Sequence, residues 1–129
     1  MSEVPEGVRL SAQARGAPRP TATMTLTRDG PEGVEVLLGL RAKTMRAFPN
    51  YWAFPGGGVS SVDHAAVAAL PQLAGPEAAS IACIMREMSE ELGLAAHGQG
   101  AVAVDADART AIVADKRRWL PLALDCLLY

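Results

Sequence analysis

Small or apolar residues alternate with threonine from Thr21 to Arg28 (TATMTLTR), and aliphatic and β-branched residues fill Val34 to Arg41 (VEVLLGLR). The turn-rich DGPEG lies between them, so the pattern predicts a β-hairpin. Residues 1–20 mix Pro, Gly, Arg and Ala without a period, which reads as a loosely ordered arm with room for a short edge strand. After the hairpin, RAKTMRAFPNYWAFPGGG sets Arg41, Lys43 and Arg46 ahead of Tyr51, Trp52, Phe54 and a glycine run. That order suits a loop facing something anionic and partly flat. For the three rings, core packing is the favoured reading over base stacking.

The segment from Val59 to Gly75 is alanine-rich and contains Pro71, which ends or kinks a helix; a short helix or ordered loop is expected there. Pro76 suits the first position of the next helix, with Glu77 in the first turn. That helix is expected to run to about Leu92, where Gly93 supplies a stop and Leu94 can pack back on the last turn. Beyond it, GQGAVAVDAD can begin as a strand, and DARTAIVADKRRWL looks helical, with Asp in front and Lys and Arg behind. The closing LPLALDCLLY is an apolar run that stops abruptly, so further fold is expected beyond Tyr129.

Length and composition narrow the class. A chain of 129 residues, half of them hydrophobic, can bury one core, which gives one domain over 21–129 after the arm. A formal net charge of −2 leaves no basic footprint for duplex nucleic acid. No apolar run reaches the roughly 18 residues of a membrane span, and MSEVPEGVRL has acids early and no apolar core of signal-peptide length. Cys83 and Cys126 stand far apart without metal-type spacing, which suits buried thiols in a reducing cytoplasmic compartment.

The helix carrying REMSEELGL is the most informative stretch. At about 100° per residue, Ile81, Ile84, Met85, Met88 and Leu92 form an apolar face suited to packing on a sheet, and Glu87, Glu90 and Glu91 gather beside it. Arg86 reaches Glu90 one turn on. A solvated acidic face explains such a cluster, because like-charge pairs cost only a few tenths of a kcal/mol each. A hard divalent cation explains it differently, since carboxylates one turn apart supply several oxygen ligands from one rigid element.

Arg86 to Leu94 resembles the second half of the Nudix hydrolase signature, R-E-U-x-E-E-x-G-U with U aliphatic, at every defined position. The upstream AFPGGGV is similar to the segment that opens the same signature. The likeness extends over about Thr21 to Leu94 and implies an α+β fold, an α/β/α sandwich around a mixed β-sheet. One departure is clear: Gly57 and Arg86 are separated by 28 residues, 15 more than the family pattern allows. Glu77 stands nine residues before Arg86 where the pattern expects its first-half glutamate at eight, which puts that role in doubt. A long insert here is similar to the branch of peroxisomal and mitochondrial coenzyme A diphosphatases.

The resemblance implies Mg²⁺ or Mn²⁺ held by Glu87, Glu90, Glu91 and the Gly57 carbonyl. It further implies that Glu87 or Glu91 orients or deprotonates the attacking water, and that Arg86 serves the catalytic group by holding a glutamate. Arg41, Lys43 and Arg46 would meet phosphates, with Gly56 and Gly57 offering backbone to the substrate. A solvated basic loop is an equal reading of those three cations. The implied function is hydrolysis of the diphosphate linkage of a nucleoside diphosphate joined to another group, with coenzyme A or an acyl derivative preferred. ADP-ribose, dinucleotides and oxidised nucleotides are the alternatives.

Two rival readings stand beside it: a non-catalytic nucleotide-binding or regulatory module, and an inactive fragment. Only 35 residues follow Leu94, fewer than the remaining strands and closing helix of such a fold need. A monomer of that kind would expose an apolar sheet edge and form homo-oligomers. His64 and His97 are expected at the surface or in loops, and Asp105, Asp107 and Asp115 in solvated or capping roles. Cys126 is expected to be buried.

Overall fold

The computed structural model describes residues 17–98 and 100–127, with side chains as far as Leu124. Most of the expected N-terminal arm and the side chain of Cys126 lie outside the described residues. In chain order the strands and helices are β1 (Thr21–Thr23), β2 (Thr27–Gly30), β3 (Gly33–Val36), β4 (Gly39–Leu40), β5 (Trp52–Ala53), β6 (Gly56–Gly58), α1 (Ser61–Ala69), α2 (Ala78–Glu87), β7 (Leu94–His97), β8 (Gly100–Ala103), α3 (Ala106–Ala114) and α4 (Trp119–Leu127). The described chain divides into two units, one over Thr25–Phe54 and the other over Arg19–Met24 and from Pro55 onward.

In the first unit, β2 and β3 pair antiparallel in the register Thr27↔Val36 to Gly30↔Gly33. Pro31 and Glu32 alone make the turn, with Gly33 at φ 128°. The hairpin forms at DGPEG as expected, but its first strand does not begin at Thr21: β1 pairs instead with β6, in the other unit. None of the described residues of the first unit is buried. Trp52 is 64 % exposed, and Phe54 and Tyr51 are exposed too, which corrects the expectation of core packing. The physical reason is thickness: two-stranded ribbons have no opposing layer against which to bury a ring.

In the second unit the core gathers Ala66, Leu70, Ala82, Met85, Ile112, Trp119 and Ala123. α1 forms in the alanine-rich segment and ends at Leu70, immediately before Pro71, as proline requires. α2 begins at Ala78, two residues later than Pro76 suggested, with Glu77 as its N-cap. Ile81 is exposed rather than facing a sheet, and the buried positions are Ala78, Ala82, Cys83, Met85, Arg86 and Glu87. Small residues take three of these six places, Ala78, Ala82 and Cys83, because α2 touches α1 as well as β1 and β6, and close approach of another helix favours alanine over isoleucine.

The helix does reach Leu92, but Met88–Leu92 is a π-turn, and Gly93 closes it at φ 64° with its N–H on Met88 O. Ser89 Oγ lies within hydrogen-bond reach of Met85 O (3.3 Å) and Leu94 O (3.1 Å). Leu94 starts β7, which pairs antiparallel with β8. The expected helix beyond Asp105 is broken at Asp115, whose backbone (φ −145°, ψ 105°) leaves the helical region and whose carboxylate caps a short 3₁₀ turn at Lys116–Arg118. Asp105 caps α3 through the amides of Asp107 and Ala108, the capping role expected of it. The class is α+β. Among the described residues its ladders are antiparallel pairs, where the resemblance anticipates a mixed sheet. No described helix is long and apolar enough to cross a membrane.

Candidate metal centre

Three consecutive glycines in β6 let α2 lie against the strand with no side chain of the strand in the way. Gly56 N donates to Glu91 Oε2 at 3.3 Å. A Cβ placed on Gly57 would fall 2.6 Å from Glu87 Cδ, so the space that any other residue would fill there holds the Glu87 carboxylate. Cys83 Sγ donates to Gly57 O (3.6 Å), and Arg86 Nη2 approaches Gly58 O (3.4 Å). Reading along the strand, Glu91, Glu87 and Arg86 meet Gly56, Gly57 and Gly58 in turn.

Arg86 is fully buried and organises the charges. Its Nη1 donates to Glu87 Oε1 and Glu90 Oε1, both at 3.0 Å, so these two oxygens are at most about 6 Å apart. Its other edge grips Asp63, with Nε to Oδ1 at 2.7 Å and Nη2 to Oδ2 at 3.0 Å. Such a forked, charge-assisted pair fixes the plane of the guanidinium. Asp63 Oδ2 also accepts from Ser60 N (2.8 Å) and Ser60 Oγ (3.1 Å) at the start of α1. Among the described residues, no buried side-chain nitrogen or oxygen lacks a partner.

The pKa shifts follow this arrangement. Burial pushes the Asp63 carboxyl up, but the Arg86 and Ser60 hydrogen bonds and the Arg86 charge outweigh it and hold the group below the usual carboxylate range. Burial likewise opposes the Arg86 charge, and Asp63, Glu90 and Glu87 reverse that and raise its pKa further. The Cys83 thiol is pushed up to about 11, first by burial and then by the Asp63 charge. It is a neutral structural thiol.

Asp63 is the site residue that the sequence left unmarked. The signal was present, since Ser60-Ser-Val-Asp63 has capping-box spacing ahead of an apolar helix. Nothing local revealed that its second oxygen would meet an arginine 23 residues on. Glu77 does not take that place: it stands at the N-cap position of α2 and lines an open groove of about 480 Å³ with Thr21, Met24, Ile81 and Met85. Arg41, Lys43 and Arg46 lie in the first unit, where Arg41 Nε donates to Ala47 O at 3.1 Å and closes the loop. His64 and His97 are exposed, His64 on α1 rather than in a loop.

Among the described residues, no three His, Cys, Asp or Glu side chains stand together as a formed metal cage. The donor chemistry nevertheless fits a hard divalent ion. Glu87, Glu90 and Glu91 are oxygen donors on one helix end, and the Arg86 charge that offsets Glu87 and Glu90 is shared with Asp63. The local excess of negative charge is what a divalent cation would neutralise. Gly57→Ala should cost about 1–3 kcal/mol in stability, since its Cβ would push the Glu87 carboxylate off the buried Arg86 guanidinium. A lowered melting temperature, with hydrolysis by the still-folded protein reduced at least tenfold, is the expected pair of results.

No protein-family model matches the chain, and neither does any curated protein. A solved structure of a NUDIX hydrolase from Alicyclobacillus acidocaldarius has a similar fold, with a TM-score of 0.66 and 26 % sequence identity. The match covers 84 % of this chain and 55 % of that one, so the chain spans about half the length of the structure it matches. This likeness supports the Nudix family.

Proposed function

From a Nudix-like fold whose glutamate helix lies along a glycine strand, we propose that the chain is a metal-dependent hydrolase of a diphosphate linkage in a nucleoside diphosphate joined to another group. The observation that carries this reading is that Glu87 and Glu90 share the buried Arg86 guanidinium with Asp63, while Glu87 seats against Gly57 and Glu91 accepts from Gly56 N. A solvated acidic face explains exposed glutamates, but not Glu87, which is 8 % exposed and seated where a Cβ would otherwise stand.

Glu87, Glu90, Glu91 and the Gly57 carbonyl would hold Mg²⁺ or Mn²⁺. A bound ion of this kind neutralises charge on phosphate oxygens and makes an attached water more acidic. Glu91, the exposed member, is the carboxylate best able to orient or deprotonate that water, with Glu87 the other candidate. Arg86 is out of reach of substrate and acts by fixing Glu87 and Glu90. Gly56 and Gly57 would offer backbone to the substrate, and Arg41, Lys43 and Arg46 are proposed for its phosphates.

Coenzyme A and its acyl derivatives are the proposed substrate class, on the basic loop and the long insert after Gly57. The test is a panel of coenzyme A, acetyl-coenzyme A, ADP-ribose and a dinucleoside polyphosphate, each with Mg²⁺ and with Mn²⁺, followed by chromatography of the nucleotide products. Cleavage of the coenzyme A compounds in preference to the others is expected. Preference for ADP-ribose would move the substrate class. No cleavage of any compound with either metal would overturn the enzymatic reading in favour of a binding module.

A further inference from the structure

The turn that carries Glu90 and Glu91 is the end of its helix, and the last carbonyls of a helix have no donor within it. Here they have one from outside. Arg109 of α3 donates from Nε to Glu90 O at 3.1 Å and from Nη2 to Glu91 O at 2.7 Å. The same side chain lies over Gly93, where a Cβ would fall 3.2 Å from Arg109 Cδ. Gly93 therefore does two things: it adopts the left-handed conformation that ends the π-turn, and it leaves room for the arginine. α3 is held in place by the Asp105 cap and by buried Ile112 in the core, so the guanidinium is presented from a fixed element. A cation at a helix C-terminus is also favoured by the helix dipole.

We infer that Arg109 is a positioning residue: its two bonds to the carbonyls of Glu90 and Glu91 fix the main chain from which both carboxylates project, and so set their use as metal ligands. The inference rests on the metal reading proposed above. A π-turn is a less regular support than an α-helical one, and its glutamates depend correspondingly more on an external clamp. Arg86 and Asp63 secure the start of the acidic stretch through side chains, and Arg109 secures its end through the backbone.

The test compares the full chain with Arg109→Ala and Arg109→Lys, by amide hydrogen exchange across 88–93 and by Mn²⁺ titration followed by electron paramagnetic resonance. Loss of two charge-assisted bonds should speed exchange of those amides about tenfold in Arg109→Ala. Mn²⁺ affinity should fall by about tenfold, as when an outer support of a metal ligand is removed. Arg109→Lys should recover only part of either, because an ammonium cannot span two carbonyls in a fixed fork. Unchanged exchange in Arg109→Ala would overturn the clamp. Faster exchange with unchanged Mn²⁺ affinity would overturn the positioning role while leaving the metal reading intact. A native chain that binds no Mn²⁺ would overturn the metal reading, and the positioning role with it.

Discussion

Arg86→Met should destabilise the chain by about 3–5 kcal/mol, the cost of stripping one partner from a buried ion pair. Asp63 and Arg86 are both 0 % exposed, and the Asp63 carboxylate would keep only Ser60 as a partner. Glu87, nearly buried, would lose its Nη1 contact as well. Truncating the Asp63 side chain in the same molecule should recover part of the loss, because the second change removes the stranded charge rather than adding a fault. Asp63→Ala with Arg86→Met should thus cost less than the two single changes added together, with a coupling of about 1–3 kcal/mol. Urea unfolding of the four proteins measures this directly. Additive costs would show that Asp63 and Arg86 act independently, against the geometry of the fork.

The second large effect falls on activity. Glu91→Gln keeps the shape of the side chain and removes its charge. Glu91 is exposed and lies outside the buried Asp63–Arg86 pair, so stability should change by no more than about 0.5 kcal/mol. The proposed site should respond quite differently: loss of a ligand or base at a divalent metal should lower kcat by about 100-fold or more. Steady-state rates and melting curves on the same preparation separate the two. A variant as active as the native chain would remove Glu91 from the site. A variant that merely unfolds would show that the carboxylate is structural.

What the sequence made legible was what short-range pattern controls. Arg86, Glu87, Glu90, Glu91 and Gly93 lie within eight residues, and their spacing places them together on any helix that ends at Gly93. Pro71 ends α1 and DGPEG turns a hairpin for equally local reasons. What was illegible depends on partners far along the chain. Thr21–Thr23 joins Gly56–Gly58 because pairing there completes a ladder beside α2, and no local alternation distinguishes that partner from the adjacent strand. Asp63 carries the spacing of a cap, but its grip on Arg86 exists only once α1 packs on α2. The π-turn escapes a reading based on 100° per residue, and Arg109, in a segment read only as a helix, gives no sign of the carbonyls it will meet. The rings at Tyr51, Trp52 and Phe54 look like core residues by type; they are exposed because the ribbon that carries them has no second layer.

The central claim is that the carboxylates of Glu87, Glu90 and Glu91 serve a divalent metal in diphosphate hydrolysis. The most direct measurement is the rate of coenzyme A cleavage by the full chain across a Mg²⁺ and a Mn²⁺ titration, with a chelator control and Glu90→Gln in parallel. The account predicts no cleavage in chelator, a rate that saturates with metal in the native chain, and at least a 100-fold lower rate in Glu90→Gln. Cleavage that persists in chelator, or a Glu90→Gln protein as active as the native one at every metal concentration, would contradict it.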